Sequence, residues 1–330
     1  MNILLITPNF FNYPQKMCEE LRKMGHTVDW YDDRPSTNSF VKAIIRINKN
    51  YINSYINGYF KKIFSEIKEK QYDKCIIVSG QSLSLNKDMI LKIKESQNNC
   101  EFVLYQWDSL KNFEYIKEMK DCFDRCYSFD SEDVKSNDYL SFLPLFYVDT
   151  YENIGKKTSK GQNYKYDCMF VGTAHPKKYK LISKISNELK DVYNNQFIYF
   201  FFPSRLVYIY RKIKNKEFKE AKYSDFNYVA LKEDEISKIF ADSKCILDSA
   251  QDNQNGLTIR VIETLGAKRK LITTNENIKQ YDFYYPENIY VYEDDFDFNN
   301  IFFKTDYREL RKEIYEKYSL SNWLSTLING

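Results

Sequence analysis

Arg260 and Glu263 stand three residues apart in the stretch NQNGLTIRVIETLG (253–266), a few positions after Gly256. If this stretch is a helix, the spacing puts both charged side chains on the same side. A helix amino terminus offers free N–H groups and partial positive charge to a diphosphate, and a glycine lets the backbone come close to the anion. Arg260 can bind a phosphate as a bidentate donor, and Glu263 can accept hydrogen bonds from ribose hydroxyls. The alternative is a solvated surface ion pair, which is common on helices.

A predicted strand and a polar loop come directly before this helix. The stretch KCILDSA (244–250) has the apolar run of a buried strand, and QDNQNG (251–256) follows its carboxyl end. Ligands bind at the carboxyl ends of strands in open parallel sheets. The apolar residues Leu257, Val261 and Leu265 share one face of the helix, and Gly266 is placed as its C-cap. The sequence therefore predicts an anion site at the edge of a parallel sheet.

The rest of the chain has a β/α pattern. NILLIT (2–7), a helix over Tyr13–Lys23 and HTVDWYD (26–32) open it as a β-α-β unit, which predicts a parallel sheet with covering helices. A polar, lysine-rich stretch over 152–167 is the best linker, and the pattern restarts after it with DCMFVGTA (167–174). We therefore predict two domains, over 1–155 and 165–305, since 330 residues suffice for two separate cores.

Composition excludes several classes of protein. The net charge of +3 is too small to indicate nucleic acid, so we expect no such partner. Seven scattered cysteines favour reduced thiols in a cytoplasmic protein. The sequence has no GxGxxG after a strand, no GxxxxGK[ST] and no GxSxG, which disfavours dehydrogenases, P-loop proteins and α/β-hydrolases. Two histidines are too few for most zinc sites.

A resemblance to bacterial glycosyltransferases of the GT-B fold rests on four stretches, namely LYQWDSLKN (104–112), FLPLFY (142–147), YDCMFVGTAHPKKYKLI (166–182) and NQNGLTIRVIETLGAKRKLITTN (253–275). Within that fold, the chain is most similar to a group of capsule and lipopolysaccharide biosynthesis proteins and also resembles the CgeB-like spore-maturation proteins. The resemblance implies an α/β protein with two Rossmann-like β/α domains facing across a cleft. It also implies that terminal helices, over about 306–330, pack back on the first domain.

The block 253–275 binds the nucleotide-sugar donor in GT-B enzymes. The resemblance therefore implies amides near the diphosphate, Arg260 near a phosphate and Glu263 at the ribose. The donor site that we predict comprises Gly172, Asn255, Gly256, Leu257, Thr258, Arg260 and Glu263. Retaining families often carry a second acid seven positions before Glu263, where this chain has Gly256, so inverting transfer is slightly favoured.

Inverting sugar transfer needs a general base for the acceptor hydroxyl and support for the departing diphosphate. Asp108 ends a predicted strand in QWDS and is the candidate base; the alternative is an N-cap or loop aspartate. His175 follows the glycine turn in VGTAHPKKYK and can contact the donor, or it is an ordinary loop histidine, while Lys177 and Lys178 are expected to be solvated. Three further polar residues follow strand ends and would line the acceptor side: Asn9, Ser79 and Gln81.

Metal and cofactor are not expected. Asp295 and Asp297 resemble the metal-binding DxD of GT-A enzymes, but they lie past the donor block and are interpreted as a solvated acidic loop. GT-B enzymes usually need no bound metal, so the resemblance implies a nucleotide sugar as substrate and no metal ion.

The segment 40–65 is aromatic and basic, with five Lys or Arg and no acid. It can lie on an anionic membrane surface, where a lipid-linked acceptor would sit, or its apolar side chains pack on the sheet while Lys faces water. FFFPSRLVYIYRKIKNK (200–216) leaves the same two interpretations open. We expect a cytoplasmic protein, with peripheral attachment to the inner face of the cell membrane as a further option. No feature specifies an oligomeric state.

The resemblance thus implies a glycosyltransferase that moves a sugar from a nucleotide diphosphate sugar to a glycan or lipid-linked acceptor in capsule or lipopolysaccharide synthesis. The alternative is a non-catalytic protein of the same fold, which binds a nucleotide or glycan and scaffolds a polysaccharide assembly complex.

Overall fold

The computed structural model describes residues 1–35, 53–79, 85–112, 116–159, 161–249 and 256–330. The chain divides into two compact units. The first consists of Met1–Leu145 and Leu320–Gly330, and the second of Phe146–Ser319.

The first unit is built around a parallel sheet of six strands in the order β2-β1-β3-β4-β5-β6. Its strands are β1 (Asn2–Ile6), β2 (Thr27–Tyr31), β3 (Lys74–Ser79), β4 (Glu101–Gln106), β5 (Arg125–Ser128) and β6 (Leu140–Phe142). The helices between them are α1 (Tyr13–Lys23), α2 (Asn53–Ile67), α3 (Lys87–Glu95), α4 (Ile116–Met119) and α5 (Ser131–Ser136). Ile3, Leu4 and Leu5 are each 0% exposed. Consecutive residues of a strand point to opposite faces, so both faces of this sheet are covered.

The second unit has a parallel sheet of five strands in the order β11-β10-β9-β7-β8. Its strands are β7 (Tyr166–Thr173), β8 (Gln196–Phe201), β9 (Ser243–Leu247), β10 (Lys270–Thr273) and β11 (Ile289–Val291). Its helices are α6 (Asp149–Lys157), α7 (Pro176–Glu188), α8 (Arg205–Lys214), α9 (Glu233–Ala241), α10 (Ile259–Gly266), α11 (Ile301–Lys304) and α12 (Lys312–Lys317).

The last helix, α13 (Leu320–Asn329), belongs to the first unit, whereas residues 306–319 belong to the second. The ring of Trp323 packs edge-on against Tyr105 of β4, with 4.7 Å between ring centroids. Arg125 of β5 donates from its guanidinium to the carbonyls of Thr326 and Leu327, at 3.2 and 2.8 Å. Both carbonyls lie in the last turn, and that of Thr326 also accepts from the N–H of Gly330 at 3.0 Å. The arginine therefore caps the carboxyl end of the helix.

The two sheets have the same topology. When the strands of each unit are numbered from its own first strand, five of them follow the order 2-1-3-4-5 of doubly wound α/β folds. The direction of winding reverses between β1 and β3 in the first sheet and between β7 and β9 in the second. The two Rossmann-like β/α domains predicted from the sequence are therefore confirmed, and each has a switch point at which ligands bind in such folds.

The stretch 152–167, predicted to be a linker, is partly helical. Its first residues continue α6, which packs on α10, and Gly155 is buried in that contact. A Cβ on Gly155 would lie 2.3 Å from the carbonyl oxygen of Gly266, so a glycine is needed for the two helices to approach this closely.

The described part of the basic segment 40–65 is its second half, because residues 36–52 lie outside the described ranges. Ile56, Phe60 and Ile63 of α2 are buried in the core of the first unit, while Lys61 and Lys62 are exposed. This half of the segment therefore packs its apolar side on the sheet and turns Lys to water. Across the ranges that the structure describes, no helix has the length and apolar character needed to cross a membrane.

Candidate functional site

Asp248 lies at the centre of the second unit's switch point. It follows β9 directly, and its carboxylate is buried, with 5% of the residue exposed. The hydroxyl of Thr258 donates to Oδ1 at 2.9 Å, and that of Thr273 donates to Oδ2 at 3.2 Å. One carboxylate thus ties the residue before α10 to the end of β10, in the middle of the sheet.

Two cations lie close to this carboxylate. Lys178, in the first turn of α7, interacts electrostatically with both Asp248 and Arg260. Burial raises the pKa of Asp248 above its ordinary value, although Lys178 and the two threonine hydroxyls oppose the shift. Burial also lowers the pKa of Lys178, and the attraction of Asp248 only partly offsets it. Lys178 was expected to be solvated; it is instead partly buried, because α7 starts at the end of the neighbouring strand β7.

Helix α10 begins later than the sequence suggested. Thr258 is its N-cap, and the threonine hydroxyl accepts from the N–H of Val261 at 3.4 Å. Gly256 and Leu257 therefore form the approach to the helix and are buried, and the carbonyl of Gly256 accepts from the Asn275 side chain at 3.3 Å. Ile259 and Arg260 are the first two residues of the helix, so their N–H groups lie at its amino terminus.

Gly266 does not cap the helix. It is the last helical residue, the C-cap is Ala267, and the left-handed conformation falls on Lys268, with a φ of 51°. A Cβ on Gly266 would lie 2.5 Å from the ring of Tyr147. Close packing against that ring, and not backbone freedom, explains why a glycine stands here.

Arg260 and Glu263 pair with each other, with Nη1 and Oε2 2.7 Å apart, as in the alternative to ligand binding that their spacing left open. The pair is not solvated, since the two side chains are only 21% and 8% exposed. The guanidinium lies over the ring of Phe240, 5.2 Å from its centroid, and the hydroxyl of Tyr151 hydrogen-bonds Glu263. Burial and the charge of Glu263 raise the pKa of that hydroxyl. The glutamate is therefore a fixed acceptor rather than a mobile surface group.

Two further predicted donor residues lie at the end of β7. Gly172 is the penultimate residue of that strand, and a Cβ there would lie 2.8 Å from the ring of Phe170. His175 precedes α7 in the N-cap position; its side chain is exposed and makes no capping hydrogen bond. Asn255 lies outside the described residues. The roles of these residues toward a donor stay predictions.

The first unit's switch point has a different character. Asn9 follows β1 and is exposed, and Phe10 and Phe11 beside it are 44% and 63% exposed. Phe11 and Asn12 adopt left-handed backbone conformations with φ of 45° and 57°. A bulky residue seldom does so without a functional reason, because the conformation costs about 1–3 kcal/mol.

Asp108 follows β4, and Ser79 ends the neighbouring strand β3. Asp108 comes two residues after β4 and is half-buried, and its Oδ1 accepts from the N–H of Ser109 at 2.9 Å. Ser79 is the last residue of β3, and Gln81 lies outside the described residues. The assignment of these three residues to base and acceptor therefore stays a prediction.

Aromatic rings connect β1 to β4 at this edge of the sheet. The ring of Phe10 stacks on Tyr13, and Tyr13 meets Trp107 edge-on, with centroids 6.4 and 5.6 Å apart. Gln106, at the end of β4, is 0% exposed, and neither polar atom of its side chain has a hydrogen-bond partner among the described residues. A buried amide without partners is costly and uncommon.

Sequence reasoning missed Asp248, Lys178, Gln106 and the aromatic turn at Phe11. An acid directly after a buried strand was the available signal for Asp248. Nothing local marks the other three, since burial and left-handed geometry depend on distant packing.

Asp295 and Asp297 are exposed, as expected for a solvated acidic loop. In the part of the chain that the structure describes, no three His, Cys, Asp or Glu side chains come together as metal ligands. The independence from metal nevertheless stays a prediction.

Solved structures resemble this chain over most of its length. A glycosyltransferase from Rickettsia africae aligns with a TM-score of 0.54 and 15% identity, over 99% of this chain and 93% of that one. An alpha-glucosyltransferase in complex with UDP and a DNA 13-mer aligns with a TM-score of 0.54 and 14% identity, over 88% and 81%. The UDP-GlcNAc 2-epimerase from Neisseria meningitidis, bound to UDP-GlcNAc, aligns with a TM-score of 0.52 and 10% identity, over 99% and 98%.

These similarities show that the chain has the GT-B fold. No family model and no curated protein matches the sequence, so the capsule and lipopolysaccharide group stays a prediction. Since the alpha-glucosyltransferase holds DNA as well as UDP, the absence of a nucleic-acid partner also stays a prediction.

Proposed function

We propose that this chain is a glycosyltransferase that takes its sugar from a nucleoside diphosphate donor bound at the carboxyl edge of the second sheet. The observation that carries the proposal is the cluster of Asp248, Lys178 and Arg260 at the switch point of a GT-B fold. Two of the similar solved structures are transferases, and two hold UDP or a UDP-sugar.

A diphosphate suits this cluster for electrostatic reasons. Burial destabilises the charged form of Lys178 more than Asp248 stabilises it, so an anion beside the lysine would offset the cost. Thr258 fixes the start of α10, where N–H groups and Arg260 face the same anion. The same groups would stabilise the charge that develops on the diphosphate as the sugar leaves.

The remaining donor assignments extend this arrangement. Glu263 would accept hydrogen bonds from the ribose, and its pairing with Arg260 keeps its carboxylate oriented. Gly172 and His175, with Asn255, Gly256 and Leu257, would line the donor between β7 and α10. No metal ion is required, because Lys178, Arg260 and the helix amino terminus supply the positive charge.

The acceptor belongs on the first unit in this proposal. Asp108 would be the base that removes the hydroxyl proton in an inverting transfer. Asn9, Ser79 and Gln81 would contact the acceptor beside the exposed rings of Phe10 and Phe11. A glycan or lipid-linked acceptor of capsule or lipopolysaccharide synthesis, handled in the cytoplasm, fits the resemblance seen in the sequence.

Nucleotide release from a panel of UDP-, GDP- and dTDP-sugars, with and without cell-envelope glycolipid, tests the proposal. Asp108→Asn should lower turnover by about 10²–10⁴-fold with nucleotide affinity unchanged. Asp121→Asn, which changes an exposed aspartate before β5, should leave both unchanged. Turnover should also persist in EDTA.

Three outcomes contradict transfer. Binding of nucleotide without turnover of any donor would favour the scaffold protein. Conversion of the donor sugar without release of nucleotide would indicate an epimerase, the activity of one similar structure. Failure to bind any nucleotide would refute both the transferase and the nucleotide-binding scaffold.

A further inference from the structure

Helix α8 (Arg205–Lys214) carries an unusual row of exposed apolar side chains. Leu206 is 78% exposed and Ile213 is 81% exposed, and Ile209 and Tyr210 between them are more than half exposed. These positions are spaced i, i+3, i+4 and i+7, so they form one continuous stripe along the helix. Such a stripe normally faces a core or a partner.

The opposite face of α8 is the one that packs on the second domain. Tyr208 is 5% exposed and meets the rings of Phe202 and Phe226. Lys212 donates to the carbonyl of Ala221 at 2.7 Å, which turns this cation inward. The apolar stripe is therefore not required to hold the helix in place.

Cations border the stripe on both sides. At about 100° per residue, the four apolar side chains cover an arc of about 100°, with Arg205 at one edge and Lys214 at the other. Both cations are exposed, and the ammonium group of Lys214 lies 4.9 Å from the ring centroid of Tyr210. The helix contains no acid, and the exposed Lys216, Lys219 and Lys222 that follow outnumber Glu217 and Glu220.

We propose that α8 is a membrane-docking helix, which lies in the interface of an anionic lipid bilayer with its apolar stripe in the acyl region. Aliphatic side chains in the middle, a tyrosine beside them and cations at both edges match the layers of such an interface, from acyl chains to anionic headgroups. A second copy of this chain would need acidic side chains facing Arg205 and Lys214, whereas anionic headgroups supply that charge directly.

Co-sedimentation of the full chain with vesicles tests the proposal. The wild-type protein should bind vesicles of equal parts phosphatidylglycerol and phosphatidylcholine, more weakly at high salt, and should not bind pure phosphatidylcholine. The double change Leu206→Ser with Ile213→Ser should lower the partition coefficient at least about tenfold, because two aliphatic side chains leave the bilayer. Arg205→Gln with Lys214→Gln should lower it by about tenfold and weaken its dependence on salt.

Val192→Ser is the matched control. It removes an exposed aliphatic side chain from the same domain. Val192 precedes the amino end of β8, whereas α8 follows the carboxyl end of that strand, so the change should leave vesicle binding unchanged. Circular dichroism and thermal unfolding establish that each variant is folded. Absence of wild-type binding to anionic vesicles overturns the proposal, and so does binding that both double variants retain. Self-association that Leu206→Ser with Ile213→Ser abolishes, without vesicle binding, would assign the stripe to a second copy.

Discussion

The two domains share a strand order, yet charged side chains lie at one switch point and aromatic side chains at the other. In the second domain, the carboxylate of Asp248 is buried and accepts from two hydroxyls, and the partly buried Lys178 lies in the first turn of a helix beside it. In the first domain, Phe10 and Phe11 are exposed rings on a left-handed turn. One topology therefore presents either fixed charge or apolar surface at the same place, depending on the few residues that follow each strand.

In the proposed transfer, this difference would correspond to two kinds of ligand. A diphosphate is recognised by fixed charges and N–H groups, which are effective only where they are prevented from relaxing. A sugar ring offers C–H faces that stack on aromatic rings, which need exposure and defined orientation. The charged switch point of the second domain suits a diphosphate, and the aromatic switch point of the first domain suits a sugar ring.

The largest expected effect comes from removing the centre of the charged site. Asp248→Ala leaves the hydroxyls of Thr258 and Thr273 without their acceptor and Lys178 without its counter-charge. We expect the free energy of unfolding to fall by about 4 kcal/mol, as for the loss of one partner from a buried charged pair. Urea denaturation measures it, and a loss below about 1 kcal/mol would show that the carboxylate is dispensable.

The pH dependence of Asp248→Asn isolates the charge from the hydrogen bonds. Burial raises the folded-state pKa of Asp248 above the ordinary value of 3.8, so the folded protein binds this proton more tightly than the unfolded chain does. Stability from this group is therefore greatest at low pH and is lost as pH rises through the raised pKa. As pH rises from below 3.8 through the raised pKa, the wild-type protein should therefore lose stability relative to Asp248→Asn. A difference independent of pH would contradict the raised pKa.

A pair of glycine substitutions compares the two domains directly. Gly266→Ala places a methyl group 2.5 Å from the ring of Tyr147 and should destabilise the protein by about 3 kcal/mol through overpacking. Gly58→Ala, within α2 of the first domain, meets nothing within 4 Å and should stabilise it by about 0.5–1 kcal/mol through helix propensity. Thermal unfolding of both variants measures the effects. If the two substitutions change stability by similar amounts and in the same direction, α10 can move away from the ring of Tyr147.

The sequence was most informative where function depends on local spacing. The period of apolar residues predicted both sheets, and the three-residue separation of Arg260 and Glu263 predicted that the two side chains lie on the same side of a helix. Thr273 reaches Asp248 from 25 positions away, and Tyr147 reaches Gly266 from much further along the chain. Contacts of that kind depend on strand order, which a local pattern does not contain, so burial of the charged site could not be predicted.

Glu263→Ala tests the ribose assignment within the charged site. We expect UDP affinity to fall by about 2 kcal/mol, or roughly thirtyfold, because two charged hydrogen bonds to the ribose are lost. Glu132→Ala is the matched control: Glu132 pairs with Lys135 at the same spacing in the first domain, but both side chains are exposed. Isothermal titration with UDP measures both variants. Unchanged affinity in a folded Glu263→Ala protein would leave the glutamate with a purely structural role toward Arg260 and Tyr151.

A small stabilising effect, like that of Gly58→Ala, is expected at the aromatic turn. Phe11 holds a φ of 45°, which a glycine adopts without steric cost, so Phe11→Gly should stabilise the protein by up to about 1 kcal/mol. The same change removes an exposed ring and should raise the KM for the acceptor while the affinity for UDP stays unchanged. Phe11→Ala separates the two effects, since it removes the ring but keeps the Cβ that opposes the left-handed conformation; it should raise the acceptor KM without the gain in stability.

If Phe11→Gly is no more stable than Phe11→Ala, the turn is not strained. If neither variant alters the acceptor KM, the exposed rings do not bind the acceptor, and the contrast between the two switch points loses its functional meaning.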